Sequence, residues 1–204
     1  LDRTLVFDRL SLDQGISLPG LKLELGGTGI GVFARNHQAL LVLGQPRIRD
    51  AGLAGLVERD GWAASIPQLC DAPDEFLGKL AGRFALLWLD TAKGKIGFAS
   101  DRFNTYGFCY ASEGRRLSFA DRANEVPALE RELDPQSIFD YLYFHTIPAP
   151  GTIFKGVFRL EPGARLVADR ERTQLAAWWQ PRFDEPSDAD FKTISTGKAA
   201  KSGI

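Results

Sequence analysis

Methionine is absent from the 204 residues, and cysteine and histidine occur only twice each. Two cysteines, Cys70 and Cys109, are too few for a disulfide framework, so a reducing, cytoplasmic setting is expected. With His37 and His145 they offer no spacing that suits a structural zinc site, and neither a metal nor a cofactor is expected in this chain. Surplus charge is missing too: 25 Lys plus Arg stand against 26 Asp plus Glu, a formal net charge of −1. A nucleic-acid coat shows a basic excess, and a polyanionic tail or membrane-surface helix needs charge of one sign. Neither nucleic acid nor membrane is expected as a partner. No apolar run reaches the roughly twenty residues of a membrane span, and no signal-peptide pattern opens the chain. A translated chain starts on methionine, which the bulky leucine behind it would keep in place, so Leu1 is not expected to be the natural first residue.

What is present is ordinary for a globular domain: hydrophobic residues make up 44% and charged residues 25%. Folded as one unit, a chain of this length buries roughly two-thirds to three-quarters of its unfolded surface, enough for a real core. The strict alternation of Leu21 to Leu25 predicts a half-buried strand. Gly26 to Gly29 then predicts a turn and Ile30 to Ala34 a second strand. A tight connection at Asn36-His37-Gln38 leads into the apolar run Ala39 to Leu43. Leu53, Leu56 and Val57 have helical spacing. Asp71-Ala72-Pro73-Asp74-Glu75 predicts a helix start, running through Phe76, Leu77 and Leu80 and stopping at Gly82. Phe84 to Leu89 predicts a strand buried on both faces. Ile96 to Ala99, Thr105 to Ala111 and Arg116 to Ala120 continue as a meander. Asp134-Pro135-Gln136-Ser137 predicts another helix start. Gly156 to Leu160 and Ala164 to Ala168 predict a final hairpin about Glu161-Pro162-Gly163. Beyond Trp178-Trp179, taken as an anchor for the last strand, the chain turns polar and small. Residues 1–183 are therefore expected to form one domain and 184–204 a linker or disordered tail.

Most chemical motifs fail on inspection. Gly27, Gly29 and Gly31 lack the dinucleotide spacing and suit a hairpin better. Gly197-Lys198 is followed by Ala199, where a phosphate loop needs Ser or Thr. Cys109 sits in the apolar strand Phe108-Cys109-Tyr110 and is expected to be a buried, inert thiol, and Cys70 a partly buried filler. His145 is expected at a helix end.

The run Leu80-Ala81-Gly82-Arg83-Phe84-Ala85 through Asp90 resembles the N-terminal, class II glutamine amidotransferase domain of asparagine synthetases, a domain of the N-terminal-nucleophile type. Asp101, then Phe108-Cys109-Tyr110, then Leu117-Ser118-Phe119-Ala120 are similar to that family's later motifs in the same order. So are Leu133 to Phe144, the Pro148, Pro150, Thr152-Ile153-Phe154 and Gly156 segment, and Arg159-Leu160-Glu161-Pro162-Gly163. The resemblance spans about Gly26 to Phe183. It implies an α+β fold: an αββα sandwich of two stacked antiparallel sheets between helices, with Phe84 to Leu89 interior and the helix after Asp134 packed outside. It also implies a partner, an ATP-dependent amide-forming synthetase domain or subunit, and leaves a homodimer open.

The family's chemistry is where the chain departs. Glutamine hydrolysis there uses an N-terminal cysteine whose thiol attacks the amide and whose amine is the base; residue one here is Leu1. Leu43-Gly44-Gln45 stands where an Asn-Gly-Glu segment supplies the oxyanion donor, and leucine donates no side-chain hydrogen bond. The acid that holds the substrate amine has no counterpart between Asp50 and Asp74. Asp101 matches, but Ser100 replaces an arginine, and Asn104 and Gly107 replace a glycine and a proline. Arg122 stands in place of a glutamate. No catalytic residue is therefore expected. Leu43, Gly44, Gln45 and Asp101 are expected to mark a remnant substrate pocket, with Gly44 in a turn. Three functions follow: a degenerate, catalytically silent domain kept as scaffold or docking surface; an active glutaminase whose N-terminal cysteine segment is missing here; or a binding or regulatory module for an amino-acid-like ligand.

Overall fold

The computed structural model describes residues 5–7, 16–18, 21–23, 30–113, 116–126, 131–169 and 171–182. The glycine turn expected at 26–29 and the linker or tail expected at 184–204 lie outside these residues.

Short strands β1 (Leu5–Phe7), β2 (Ile16–Leu18) and β3 (Leu21–Leu23) come first. β4 (Ile30–Arg35) and β5 (Gln38–Ile48) follow as a hairpin whose two-residue turn places Asn36 at φ 55°. The helical stretch begins with α1 (Ala51–Asp60), capped by the Asp50 carboxylate on the Leu53 amide. A 3-10 turn (Trp62–Ser65), α2 (Ile66–Asp71) and α3 (Pro73–Gly78) complete it. Next come β6 (Leu80–Asp90), β7 (Lys95–Ser100), β8 (Cys109–Glu113) and β9 (Arg116–Ala120). The chain then forms α4 (Pro135–Phe144), β10 (Phe158–Arg159), β11 (Ala164–Ala168) and β12 (Thr173–Ala177).

These strands form two six-stranded sheets, ordered β10-β8-β9-β1-β3-β2 and β12-β11-β7-β6-β5-β4. The second is antiparallel throughout; in the first, β1 alone runs parallel to its neighbours β3 and β9. The sheets stack on one core. Leu41, Leu87, Phe98 and Leu166 come from one side, and Phe108, Phe119 and Leu160 from the other. Phe98 lies at the centre, its ring 5.4 Å from Phe108 and 5.1 Å from Phe119. The outer face of the second sheet carries the alternate residues Leu40, Phe84, Leu86 and Trp88, which pack against Leu53, Ile66, Leu69 and Phe76 of the helices. Period-two alternation thus feeds two different cores from the same strands. The expected α+β sandwich of two stacked sheets is what the chain forms, with Phe84 to Leu89 interior and buried.

Several local expectations are corrected. The helix from Pro73 stops at Gly78 rather than Gly82, because Leu80 already pairs with Ile48 as β6 begins. Thr105 to Phe108 is a loop, and the strand starts only at Cys109. Residues 158–168 do not form a hairpin: β10 pairs with β8 in the first sheet, whereas β11 pairs with β7 and β12 in the second. The Glu161–Gly163 turn carries the chain from sheet to sheet. Finally, α4 starts at its Asp134 cap as expected, yet buries only Ser137. The outer face of the first sheet is packed instead by Ala123, Val126, Phe154 and Val157.

Candidate functional site

β5 and β6 pair along their full length, from Gln38 opposite Asp90 to Ile48 opposite Leu80. Gly44 lies inside this ladder, opposite Phe84, and not in the expected turn. Its φ is +82°, and a Cβ there would stand 2.5 Å from the Arg83 carbonyl oxygen and 2.5 Å from the Tyr106 ring. Glycine is needed here for a close approach in mid-strand, which a left-handed backbone permits. Across the ladder Gly82 repeats the device at φ +94°, with the Gln45 carbonyl 2.8 Å from where its Cβ would be. Leu43, half-buried, turns its side chain into the core between the sheets. Gln45 is exposed.

Asp101 directly follows β7 and is fully buried. One carboxylate oxygen accepts from the Phe84 amide at 2.9 Å, and the other from the Phe103 and Thr105 amides at 2.7 and 3.3 Å. Its own carbonyl accepts from Asn104 and Gly163 amides. Asp101 therefore ties loop 102–107 to β6 and to the turn between sheets, and the loop in turn lays Tyr106 across Gly44. Of the four sequence-predicted residues, Leu43 and Gly44 meet at this spot, Asp101 holds the loop that covers it, and Gln45 faces outward.

Sequence reasoning missed the loop's own contributors. Tyr106 touches a residue sixty-two positions earlier in the chain, a proximity without local signal. Asn104 adopts φ 51° and donates from Nδ2 to the Leu160 carbonyl at 2.8 Å, while its Oδ1 is buried without a hydrogen-bond partner among the described residues. Arg102 places its guanidinium 5.3 Å from the centre of the Trp179 ring. Trp178 stacks on Phe84 and donates its indole N–H to the Ser100 carbonyl at 3.1 Å. Ser100, where the resemblance expects arginine, donates its hydroxyl to the Glu161 carbonyl at 2.7 Å. The paired tryptophans anchor the chain beside this loop.

Neither thiol is activated. Burial, followed by the Asp90 and Asp71 carboxylates, pushes the Cys70 thiol up to about 12. Burial also raises Cys109, against the pull of the Arg159 guanidinium. A cleft of about 200 Å³ beside Cys70, Trp88, Asp90, Lys95 and Arg165 opens on the outer side of the second sheet. Trp88 and Val167 line it from the face opposite that of Leu43, so it is separate from the Leu43–Gly44 position. Among the described residues, no group of three His, Cys, Asp or Glu could hold a metal ion. No helix among them is long and apolar enough to cross a membrane.

Fold and site together define an α+β sandwich domain in which the loop after β7 closes over β5. Residues 68–179, just over half of the chain, match the glutamine amidotransferase domain family, and the chain belongs to that family. Over 117 residues it is 28% identical to proteins of Mycobacterium bovis and Mycobacterium tuberculosis named asparagine synthetase (glutamine-hydrolyzing). The match covers 53% of this chain and 18% of those proteins, so the chain spans under a fifth of these curated relatives. Among solved structures, the glutamine phosphoribosylpyrophosphate amidotransferase of B. subtilis is similar at 15% identity and a TM-score of 0.42. That likeness covers 72% of this chain and 31% of that one.

Proposed function

We propose that this domain serves an asparagine-synthetase-type protein without hydrolysing glutamine, and acts as a scaffold or docking domain for an ATP-dependent amide-forming domain or subunit. The observation that carries this reading is the state of the Leu43–Gly44 position. The resemblance puts an oxyanion donor where Leu43 stands, and the Leu43 side chain packs into the inter-sheet core. Space over Gly44 is taken by the Tyr106 ring. Loss of one side-chain oxyanion donor typically costs about 2.7–4 kcal/mol of transition-state stabilisation. The described thiols offer no replacement, because a nucleophilic cysteine needs thiolate and both are shifted away from it.

The test is glutamate release from glutamine by the protein expressed from its natural reading frame. No turnover above buffer is expected. Turnover of about one per second or faster, ordinary for an enzyme, would sink the silent-domain reading and favour an active glutaminase. A thermal-shift screen with glutamine, glutamate, asparagine and aspartate addresses the binding-module reading. A ligand at a hundred times its Kd adds about 2.7 kcal/mol of stability, and no such shift is expected while Tyr106 covers Gly44.

A further inference from the structure

α4 is a ten-residue helix that the fold holds firmly at its base and leaves bare along its body. Asp134 caps it through the Gln136 amide and the Ser137 hydroxyl. The Asp134 amide donates to the Ile153 carbonyl, and Leu133 bridges to Phe154. Beyond that anchor, Phe139, Tyr141, Leu142, Tyr143 and Phe144 are 55–71% exposed and Ile138 is 36% exposed. Asp140 is the helix's sole charged residue. Among the described residues the rings associate with one another, Phe139 on Tyr143 at 6.1 Å and Tyr143 against Phe144 at 4.8 Å. A helix apolar all round belongs in a protein interior, and contiguous exposed apolar surface of this kind marks an interaction site.

From this we infer that α4 is an interdomain contact, seated in an apolar groove of the amide-forming domain joined to this one in the same polypeptide. The inference rests on the functional reading above for the nature of that neighbour. Area decides between occupants. A ten-residue helix is about 15 Å long and about 10 Å across, so one face buries about 250 Å² a side. Specific interfaces between separate molecules bury about 1,200–2,000 Å² in total. The helix is too small to hold a second copy or a free partner. A covalently joined neighbour works at millimolar effective concentration, where a patch of this size suffices. The curated relatives, of which this segment matches 18%, have the remaining length to supply such a neighbour.

The experiment compares the 204-residue chain with the polypeptide expressed from the natural reading frame, by amide hydrogen exchange across residues 138–144. Exchange at least about tenfold slower is expected in the natural polypeptide. The double substitution Phe139→Asp, Leu142→Asp should return it to the rate of the 204-residue chain, leaving the Tm of that chain unchanged because both side chains are exposed. Equal exchange in the two proteins, or a reading frame without a further domain, would overturn the inference. So would a concentration-dependent dimer of the 204-residue chain that the double substitution dissolves, since the occupant would then be a second copy. Glutamate release by the natural polypeptide would count against the silent-domain reading alone and leave the exchange result standing.

Discussion

Asp101→Asn keeps the side chain's size and removes its charge, and it is the sharpest test of what that residue does. Three backbone N–H groups point at two carboxylate oxygens. An amide offers one oxygen and turns an NH2 toward at least one of those donors. Hydrogen bonds to charged groups contribute about 1.5–3 kcal/mol each, and a buried donor left unpaired costs about 1–3 kcal/mol. Urea unfolding should therefore show a loss of at least about 3 kcal/mol; a loss below about 1 kcal/mol would mean the loop holds itself. The family resemblance singled out Asp101 as an acid worth following, yet nothing in one dimension says which donors its oxygens meet. Gly44 was expected in a turn and not in mid-strand, because the ring that demands a glycine there arrives from Tyr106. Cys70 carries a second expectation at this scale. With its thiol pushed up to about 12, about one molecule in ten thousand is thiolate at pH 8. Iodoacetamide at that pH should leave Cys70 intact by mass spectrometry while a free cysteine reacts, and matching rates would contradict the burial argument.

Between elements, the clearest electrostatic tie joins the first turn of α3 to β11. Asp74 accepts two bonds from the Arg165 guanidinium, one of them Nη2 to Oδ2 at 2.7 Å. That hydrogen bonding holds the Asp74 carboxyl below its ordinary range. A carboxyl lowered by folding contributes stability at pH values above the unfolded carboxylate range, near about 3.9, and loses it as pH falls through the folded value. Asp74 is half exposed, so solvent screening keeps the contribution small. The Tm difference between the natural chain and Asp74→Asn should be present at pH 7 and close below about pH 4; a difference unchanged at pH 3 would point to packing instead. Elements were legible wherever the signal was local: β4 and β7 follow glycine-marked turns, β6 holds an apolar run of strand length, and α4 starts on an acid followed by proline. The helix end near Gly78 was hidden because Leu80 reads equally as a helical or strand residue until its partner Ile48 is known. β12 went unnoticed because its burial is shallow, with Gln174 and Leu175 both exposed.

At the scale of the molecule, the sheet switch at Glu161–Gly163 decides when the second sheet can close. β7 is paired on one side with β6 as soon as both are made, but its other neighbour is β11, with Ala99 opposite Arg165. Two stacked, largely antiparallel sheets were legible, and the connection between them was not, since a Pro-Gly turn looks alike inside a hairpin and between sheets. The late arrival of β11 has a consequence for synthesis. At about 5–20 residues per second, a nascent chain waits several seconds between releasing β7 and releasing the strand that covers its edge. During that wait the row of free N–H and C=O groups along Ile96 to Ala99 can template pairing with another chain. A chain ending at Pro162 should accordingly self-associate in sedimentation experiments, while one ending at Phe183 stays dispersed. The last strands of this domain thus guard its middle, and a ribosome that stalls in the 100–160 interval leaves behind a product whose β7 edge stays open to other chains.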